Sequence, residues 1–138
     1  MTLSKFIRTS GWLCLALFPA FAMAGEDQTL WQGDLIKKSK AIEGHARIVA
    51  ISGERVIVFD DNFKTKDGPD LKVVLSPLPF DKITGKNAMK DARVISLLKA
   101  TSGGQRYTIP ADIDLSAMKS LLVHCEKYSV LWGGAPLD

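Results

Sequence analysis

The sequence contains very little cysteine: Cys14 and Cys125 are the two in its 138 residues. Cys14 lies in a segment that we expect to be removed, which leaves Cys125 without a partner for a disulfide inside the chain. One cysteine and two histidines do not provide the ligand spacing of a structural zinc site, so we predict no metal site. The Cys-x-x-Cys-His motif that attaches c-type haem covalently is also absent.

The sequence also lacks a large charge of one sign. Lysine and arginine number 18 and aspartate and glutamate 15, so the formal net charge is +3. Without Lys5 and Arg8, which lie in the segment expected to be removed, the balance is 16 to 15, or +1. This excludes the basic surplus typical of nucleic-acid-binding proteins. Hydrophobic residues at 46% and charged residues at 24% are typical of a soluble globular protein.

Motifs of common catalytic sites are missing as well. The sequence contains no nucleophile elbow, phosphate-binding loop or zinc-protease helix. The acidic run Asp60-Asp61-Asn62 does not fit a calcium loop, because Lys64 and Lys66 occupy alternate positions at which oxygen ligands are needed. We therefore predict no independent catalytic activity.

Residues 1–24 have the order of a secretory signal peptide. Lys5 and Arg8 precede the apolar residues 12–21, and Ala22-Met23-Ala24 provides the small-x-small pattern that signal peptidase recognises. The apolar run is about half of the ~20 residues that a membrane-spanning helix needs, so we expect no permanent membrane anchor. We predict cleavage after Ala24 and a single periplasmic or secreted domain comprising residues 25–138.

No segment keeps helical periodicity over ten or more residues. Instead, short runs of alternating or β-branched residues end at Gly, Pro, Asp and Asn, as in strands joined by turns. The predicted strands lie at residues 30–33, 42–52, 55–59, 71–76, 93–99, 105–109, 120–125 and 128–132. Their spacing predicts an all-β fold, a single antiparallel β-sandwich or small barrel. At most one short helical turn is expected, with Asp114 as its N-cap.

Several motifs occur in a characteristic order along nearly the whole segment 31–137. They are Phe63-x-Thr65-x-x-Gly68-Pro69-Asp70-Leu71-x-Val73-x-Leu75-Ser76, Tyr107-x-Ile109-Pro110, Asp114-Leu115, Val123-x-Cys125 and Val130-x-Trp132-x-x-Ala135-x-Leu137. This set resembles the DM-thirteen domain family, small extracellular modules of Skeletor-like animal proteins and of bacterial secreted proteins. The resemblance implies a β-sandwich and a role in extracytoplasmic electron transfer, through a cysteine that acts as a bare thiol or a haem ligand. Cys125 matches this cysteine, whereas Met118 and His124 stand where the family often has aromatic residues.

Cys125 is therefore the candidate redox residue. If a cofactor is bound, the resemblance implies haem with Cys125 as its ligand. Cys125 shares strand parity with Leu121 and Val123, so we expect it to face the core and His124 to face the opposite side. A reactive thiol needs a lowered pKa and access to solvent. The other candidate site residues are His124, Lys127, Asp70 and Tyr107.

Each candidate also has a plainer interpretation. Asp70 is more simply a turn residue and Tyr107 a core aromatic, and Lys127 assists the thiol only if the strand bends. Burial as a small hydrophobic residue is the commonest fate of a free cysteine. The alternative function is therefore a non-catalytic binding or adhesion module with a structural Cys125. The expected partner is a redox protein or another protein that the sequence does not identify, or, through an intermolecular disulfide at Cys125, a second copy of the chain.

Overall fold

The computed structural model describes Gly11, Ala16 and residues 27–138 of the chain. The expected signal peptide, including Cys14, lies outside the described residues except for Gly11 and Ala16, and its cleavage stays a prediction. Within the described part, no helix is both long enough and apolar enough to cross a membrane.

Eleven strands and two 3-10 turns make up the described chain. The strands are β1 (Gln28–Asp34), β2 (Ile36–Lys37), β3 (Ile42–Glu43), β4 (His45–Ile51), β5 (Glu54–Phe59), β6 (Lys64–Thr65), β7 (Leu71–Ser76), β8 (Arg93–Leu97), β9 (Gln105–Ile109), β10 (Ser120–Cys125) and β11 (Val130–Pro136). The 3-10 turns are Phe80–Lys82 and Leu115–Ala117. The second is the expected helical turn, and the Asp114 carboxylate accepts from the Ser116 N–H at its start. The first lies in a predicted loop.

The strands form two main sheets and a small one, with antiparallel pairing throughout the described part. The order is β1-β4-β5-β9 in the four-stranded sheet and β2-β11-β10-β7-β8 in the five-stranded sheet. The two-stranded sheet consists of β3 and β6. Side chains from both main sheets share one hydrophobic core. The prediction of an all-β sandwich is therefore confirmed.

Alternation along the strands explains this core. Ile57 and Phe59 of β5 point inward from the four-stranded sheet, and Leu121 and Val123 of β10 meet them from the five-stranded sheet. All four side chains are fully buried. Burying one such side chain stabilises the fold by about 1.5–3 kcal/mol. The period of two seen in the sequence thus defines the inner faces of the sandwich.

Glycines account for two differences between the predicted and the observed strands. The predicted strand 42–52 is divided into β3 and β4 at Gly44, whose φ is +119° and whose missing Cβ would lie 2.7 Å from Phe63 Cα. The last strand runs to Pro136 instead of ending at Trp132. Cβ atoms on Gly133 and Gly134 would lie only 2.3 and 2.0 Å from backbone carbonyl oxygens of β2 and β10, so glycine permits the close pairing there.

The outer face of the five-stranded sheet is buried too. Residues 77–92, here called the outer segment, place Phe80, Ile83 and Ala88 over Leu122 of β10 and its neighbours. All six residues of β10 are buried. The outer segment contains the 3-10 turn Phe80–Lys82, where the sequence predicts a loop that runs from Pro77 to Lys90.

Candidate functional site

Cys125 is the last residue of β10 and is fully buried in the shared core. In the sheet it is paired with Leu71 on one side and Val130 on the other. Its thiol donates a hydrogen bond to the Pro69 carbonyl oxygen, with Sγ and O separated by 3.0 Å. The expected inward orientation of Cys125 agrees with this position.

One turn of the chain separates the thiol from solvent. Residues 66–70, here called the cover segment, lead into β7, and Pro69 itself is exposed although its carbonyl oxygen faces Cys125. The cover over the sulfur is therefore a single residue thick at Pro69. The Gly68-Pro69-Asp70-Leu71 motif and Cys125, which lie more than fifty residues apart in sequence, meet at this point.

Trp132 holds the cover segment from beneath. Its indole N–H donates to the Lys66 carbonyl oxygen at 3.0 Å. Its ring lies so close to Gly68 that a Cβ there would be 2.6 Å from Trp132 Cζ2. The glycine of the motif is therefore required by the tryptophan of the last strand, a dependence that the sequence alone does not reveal.

Asp70 ends the cover segment and connects it to the turn after β10. Its φ of +58° is in the left-handed region, which Asp tolerates better than most residues. Its carbonyl oxygen accepts from the Glu126 N–H at 3.4 Å, and its carboxylate lies 3.5 Å from Lys72 Nζ. Lys72 also donates to the Glu126 carboxylate, and this hydrogen bond, together with the negative charges of Asp70 and Glu126, raises the pKa of Lys72. The Lys72 ammonium thus bridges the cover segment and the β10–β11 turn.

Lys72 is the cation that sequence reasoning missed near this site. Lys127 was the predicted cation, but its Nζ lies over the exposed Tyr128 ring, 5.4 Å from the ring centroid. In the sequence, Lys72 stands next to Leu71 in a predicted strand. Placing it near the site requires the register of β7 against β10, in which Lys72 is opposite His124.

Tyr107 contributes to this end of the sandwich indirectly. Its hydroxyl accepts from the Lys99 N–H at 2.8 Å and donates to the Gln105 side chain, and burial raises its pKa. The adjacent Leu98 N–H donates to the Leu71 carbonyl oxygen at 2.8 Å. Tyr107 therefore fixes the chain beside β7.

A cleft of 290 Å³ lies next to the cover segment. Its walls are residues 97–101 on one side and Asp67, Gly68, Asp70 and Leu71 on the other. The cover segment thus provides both the acceptor of the buried thiol and part of the wall of this cleft. A larger cleft, of 710 Å³, lies around Arg47 and Asp60, which are already joined as an ion pair at 3.0 Å.

His124 lies on the opposite side of β10 from Cys125, and the predicted divergence of the two side chains agrees with the packing. It is 1% exposed, and its Nδ1 is buried with no hydrogen-bond partner among the described residues. Burial lowers its pKa, and the charges of Glu126 and Asp70 offset this only in part. His124 is therefore a neutral, buried side chain that does not share a site with Cys125.

The surroundings of Cys125 do not fit a haem ligand. Pockets for cofactors of this size usually enclose roughly 300–1,000 Å³ and open onto the coordinating atom. Here the sulfur faces the Pro69 carbonyl oxygen and packed core side chains, and Cys125 is not among the residues that line the 290 Å³ cleft. Within the described part of the chain, no group of three or more His, Cys, Asp or Glu side chains is arranged to hold a metal ion.

A family described as electron transfer DM13 matches residues 34–137 of the 138-residue chain. The match spans almost all of the described sandwich, including the cover segment, Cys125 and Trp132, and it confirms the family resemblance. No curated protein and no solved structure matches the chain.

Proposed function

Since the chain belongs to the electron transfer DM13 family, we propose that it transfers electrons outside the cytoplasm and that Cys125, as a bare thiol, is its redox group. One observation carries this proposal: the Gly68-Pro69-Asp70-Leu71 motif meets Cys125 at its sulfur atom, and Trp132 of a third motif packs against the same turn. Pro69 accepts the hydrogen bond of the thiol, Leu71 pairs with Cys125 in the sheet, and Trp132 packs beneath Gly68. Export through the signal peptide 1–24 is part of the same proposal.

The chemistry that suits a lone thiol is thiol–disulfide exchange between two partner proteins. With the cover segment displaced, Cys125 loses its proton to water and the thiolate attacks a disulfide of the acceptor. The acceptor S–S bond breaks, a mixed disulfide with Cys125 forms, and the released acceptor sulfur takes up a proton.

Two thiols of a donor protein then complete the cycle. One donor thiolate attacks Cys125 Sγ in the mixed disulfide and releases the second acceptor sulfur, which is protonated. The other donor thiolate attacks the donor sulfur now bound to Cys125, forms the donor disulfide and returns Cys125 as a thiol. In sum, two electrons and two protons pass from a donor dithiol to an acceptor disulfide, and Cys125 is unchanged.

This chemistry requires the cover segment to open, so we expect slow but measurable exchange in the folded protein. In a full-length Cys14→Ser chain, Cys125 is the one thiol counted, and DTNB, a dianionic disulfide, reports its exchange. We expect the rate to increase in proportion to DTNB concentration and to exceed the rate of global unfolding. Gly68→Ala should raise it by roughly tenfold, because a Cβ against the Trp132 ring forces the turn outward.

Gly33→Ala is the matched control for this variant. Its Cβ would lie 2.8 Å from Trp31 Cζ2, a similar contact on the other sheet, and it should leave the exchange rate unchanged. Trp132→Phe removes the indole bond to Lys66 and is the second test if Gly68→Ala does not fold. The mass of protein recovered from the extracytoplasmic fraction should correspond to a chain that begins at Gly25.

The complete burial of Cys125 favours a second candidate, a binding module with a structural cysteine. In that case DTNB reacts only at the rate of global unfolding, and Gly68→Ala changes the exchange rate only as far as it changes that unfolding rate. Such a result would end the redox proposal. A disulfide-linked dimer, visible on a non-reducing gel, also requires open cover segments and would disappear in Cys125→Ala.

A further inference from the structure

Three exposed lysines line a further cleft near the cover segment, and a fourth precedes Ala41 of its wall in the chain. Lys37 of β2, Lys64 of β6 and Lys66 line a cleft of 370 Å³ together with Glu43 of β3. Lys40 lies beside them, with its Nζ 5.9 Å from the centroid of the Trp132 ring. We call Lys37, Lys40, Lys64 and Lys66 the lysine surface.

The charge of this surface is not neutralised within the described part of the chain. None of the four lysines forms an ion pair with a described residue, and Glu43 is the one acidic side chain that lines the cleft. The four lysines and Glu43 together carry +3, in a protein whose overall balance without Lys5 and Arg8 is +1. The lysine surface, with Glu43 included, therefore has a net positive charge.

The lysine surface is continuous with the cover over Cys125. Lys66 begins the cover segment, and its carbonyl oxygen accepts the indole N–H of Trp132, the residue over which Lys40 lies. The Lys66 N–H donates to the Ala41 carbonyl oxygen at 3.3 Å, which joins the cover segment to the floor of the lysine cleft. A molecule bound at these lysines therefore contacts the segment that separates Cys125 from solvent.

We propose that the lysine surface docks an acidic segment of the protein with which Cys125 exchanges electrons. This inference rests on the proposed function and names the partner chemistry. A concave site whose walls include Ala41, Ile42 and Thr65 suits a protruding peptide segment with carboxylates at its edges, whereas a flat bilayer would reach only its rim. Complementary charge of this kind accelerates the encounter of redox partners and orients them.

The test uses a fluorescent octaglutamate peptide as the probe and two pairs of charge reversals. Peptide anisotropy should show binding to the full-length Cys14→Ser protein at low salt, and binding should weaken by about tenfold or more as salt is raised. The double variant Lys37→Glu/Lys64→Glu leaves the cover segment unaltered and should abolish binding. Lys86→Glu/Lys90→Glu, with the same charge change on the outer segment, should not.

Thiol reagents provide a second measurement that separates this inference from the redox proposal. DTNB is a dianion, whereas dithiodipyridine is a neutral disulfide. We expect Lys37→Glu/Lys64→Glu to slow DTNB by about tenfold at low salt and to leave the dithiodipyridine rate unchanged, because only the anion is attracted.

The outcomes are distinct. If the peptide binds but Cys125 is inert, the lysine surface is an anion-binding site, and the redox function on which the proposed partner depends is overturned. A reactive Cys125 with no peptide binding, or with equal binding to both double variants, overturns the lysine surface alone. Binding to phosphatidylglycerol vesicles without binding to the peptide also overturns it, in favour of a membrane.

Discussion

The two faces of β10 are both buried, but they are buried against different parts of the molecule. The inner face, with Leu121 and Cys125, meets the four-stranded sheet, and the thiol has the Pro69 carbonyl oxygen as its acceptor. The outer face, with Leu122 and His124, lies in the region of the outer segment, and His124 Nδ1 has no acceptor or donor among the described residues. The inner face is a regular sandwich interface, whereas the outer face depends on a segment that has almost no regular structure.

The largest expected effect is on the free energy of unfolding and tests whether the two faces of β10 are equally well packed. Leu121 and Leu122 are adjacent, identical and fully buried, so Leu121→Ala and Leu122→Ala remove the same atoms from opposite faces. Each should lower the free energy of unfolding by about 2–5 kcal/mol, as expected for a buried leucine. Urea denaturation measures both changes. If Leu122→Ala costs far less than Leu121→Ala, the outer segment packs loosely and collapses around the smaller side chain.

This comparison also shows what the sequence could predict. Alternation in β10 was sufficient to orient Cys125 inward and His124 outward, because side-chain direction in a strand depends only on the period of two. It could not predict that both faces of β10 are buried. The side chains that pack over Leu122 include Phe80, Ile83 and Ala88, which are scattered through a segment with neither strand nor helix pattern.

The candidate site was predictable to a similar extent. The cysteine and the Gly-Pro-Asp motif were both identified, since each stands out in the sequence and in the family resemblance. Their contact was not predictable, because it requires the register of β10 against β7, in which Cys125 is opposite Leu71. The role of Trp132 also depended on the course of β11, which was expected to end at that residue.

The second prediction concerns the unpaired nitrogen on the outer face. Burial lowers the pKa of His124 below its ordinary value of 6.5, against the opposing effect of Glu126 and Asp70 and with a small contribution from Lys72. Below pH 6.5 the unfolded chain binds a proton that the folded chain does not, so the free energy of unfolding should fall as the pH falls through this range. Above pH 6.5 His124 should contribute no slope.

His124→Leu removes both the titration and the unpaired polar atom. It should raise the free energy of unfolding by about 1–3 kcal/mol and flatten the dependence of this free energy on pH below 6.5, both measured by urea denaturation. His45→Gln is the control, because His45 is only partly buried and its Nδ1 lies 2.9 Å from the Asp34 carboxylate. A slope that persists in His124→Leu would assign the titration to another group.

The smallest expected effect is on the thiol exchange rate and concerns Lys72, which lies opposite His124 and also contacts the cover segment. Its ammonium donates a hydrogen bond to the Glu126 carboxylate and lies 3.5 Å from the Asp70 carboxylate in the cover segment. Lys72→Gln should therefore release the cover segment and raise the DTNB exchange rate of Cys125. The increase should be less than about tenfold, because exposed ion pairs contribute little and are screened by salt.

The proper comparison for this variant is Lys127→Gln, which removes a lysine from the same end of the sheet but makes no ion pair with a described residue. At pH 8 Lys72 is fully charged, because Glu126 raises its pKa above the ordinary value of 10.5. An increase in exchange for Lys72→Gln that disappears at high salt, with no change for Lys127→Gln, would attribute the closure of the cover to this bridge. Equal rates in the two variants would mean that the Lys72 bridge does not keep Cys125 covered, and that the Trp132 contacts and the backbone bond from Glu126 to Asp70 are sufficient.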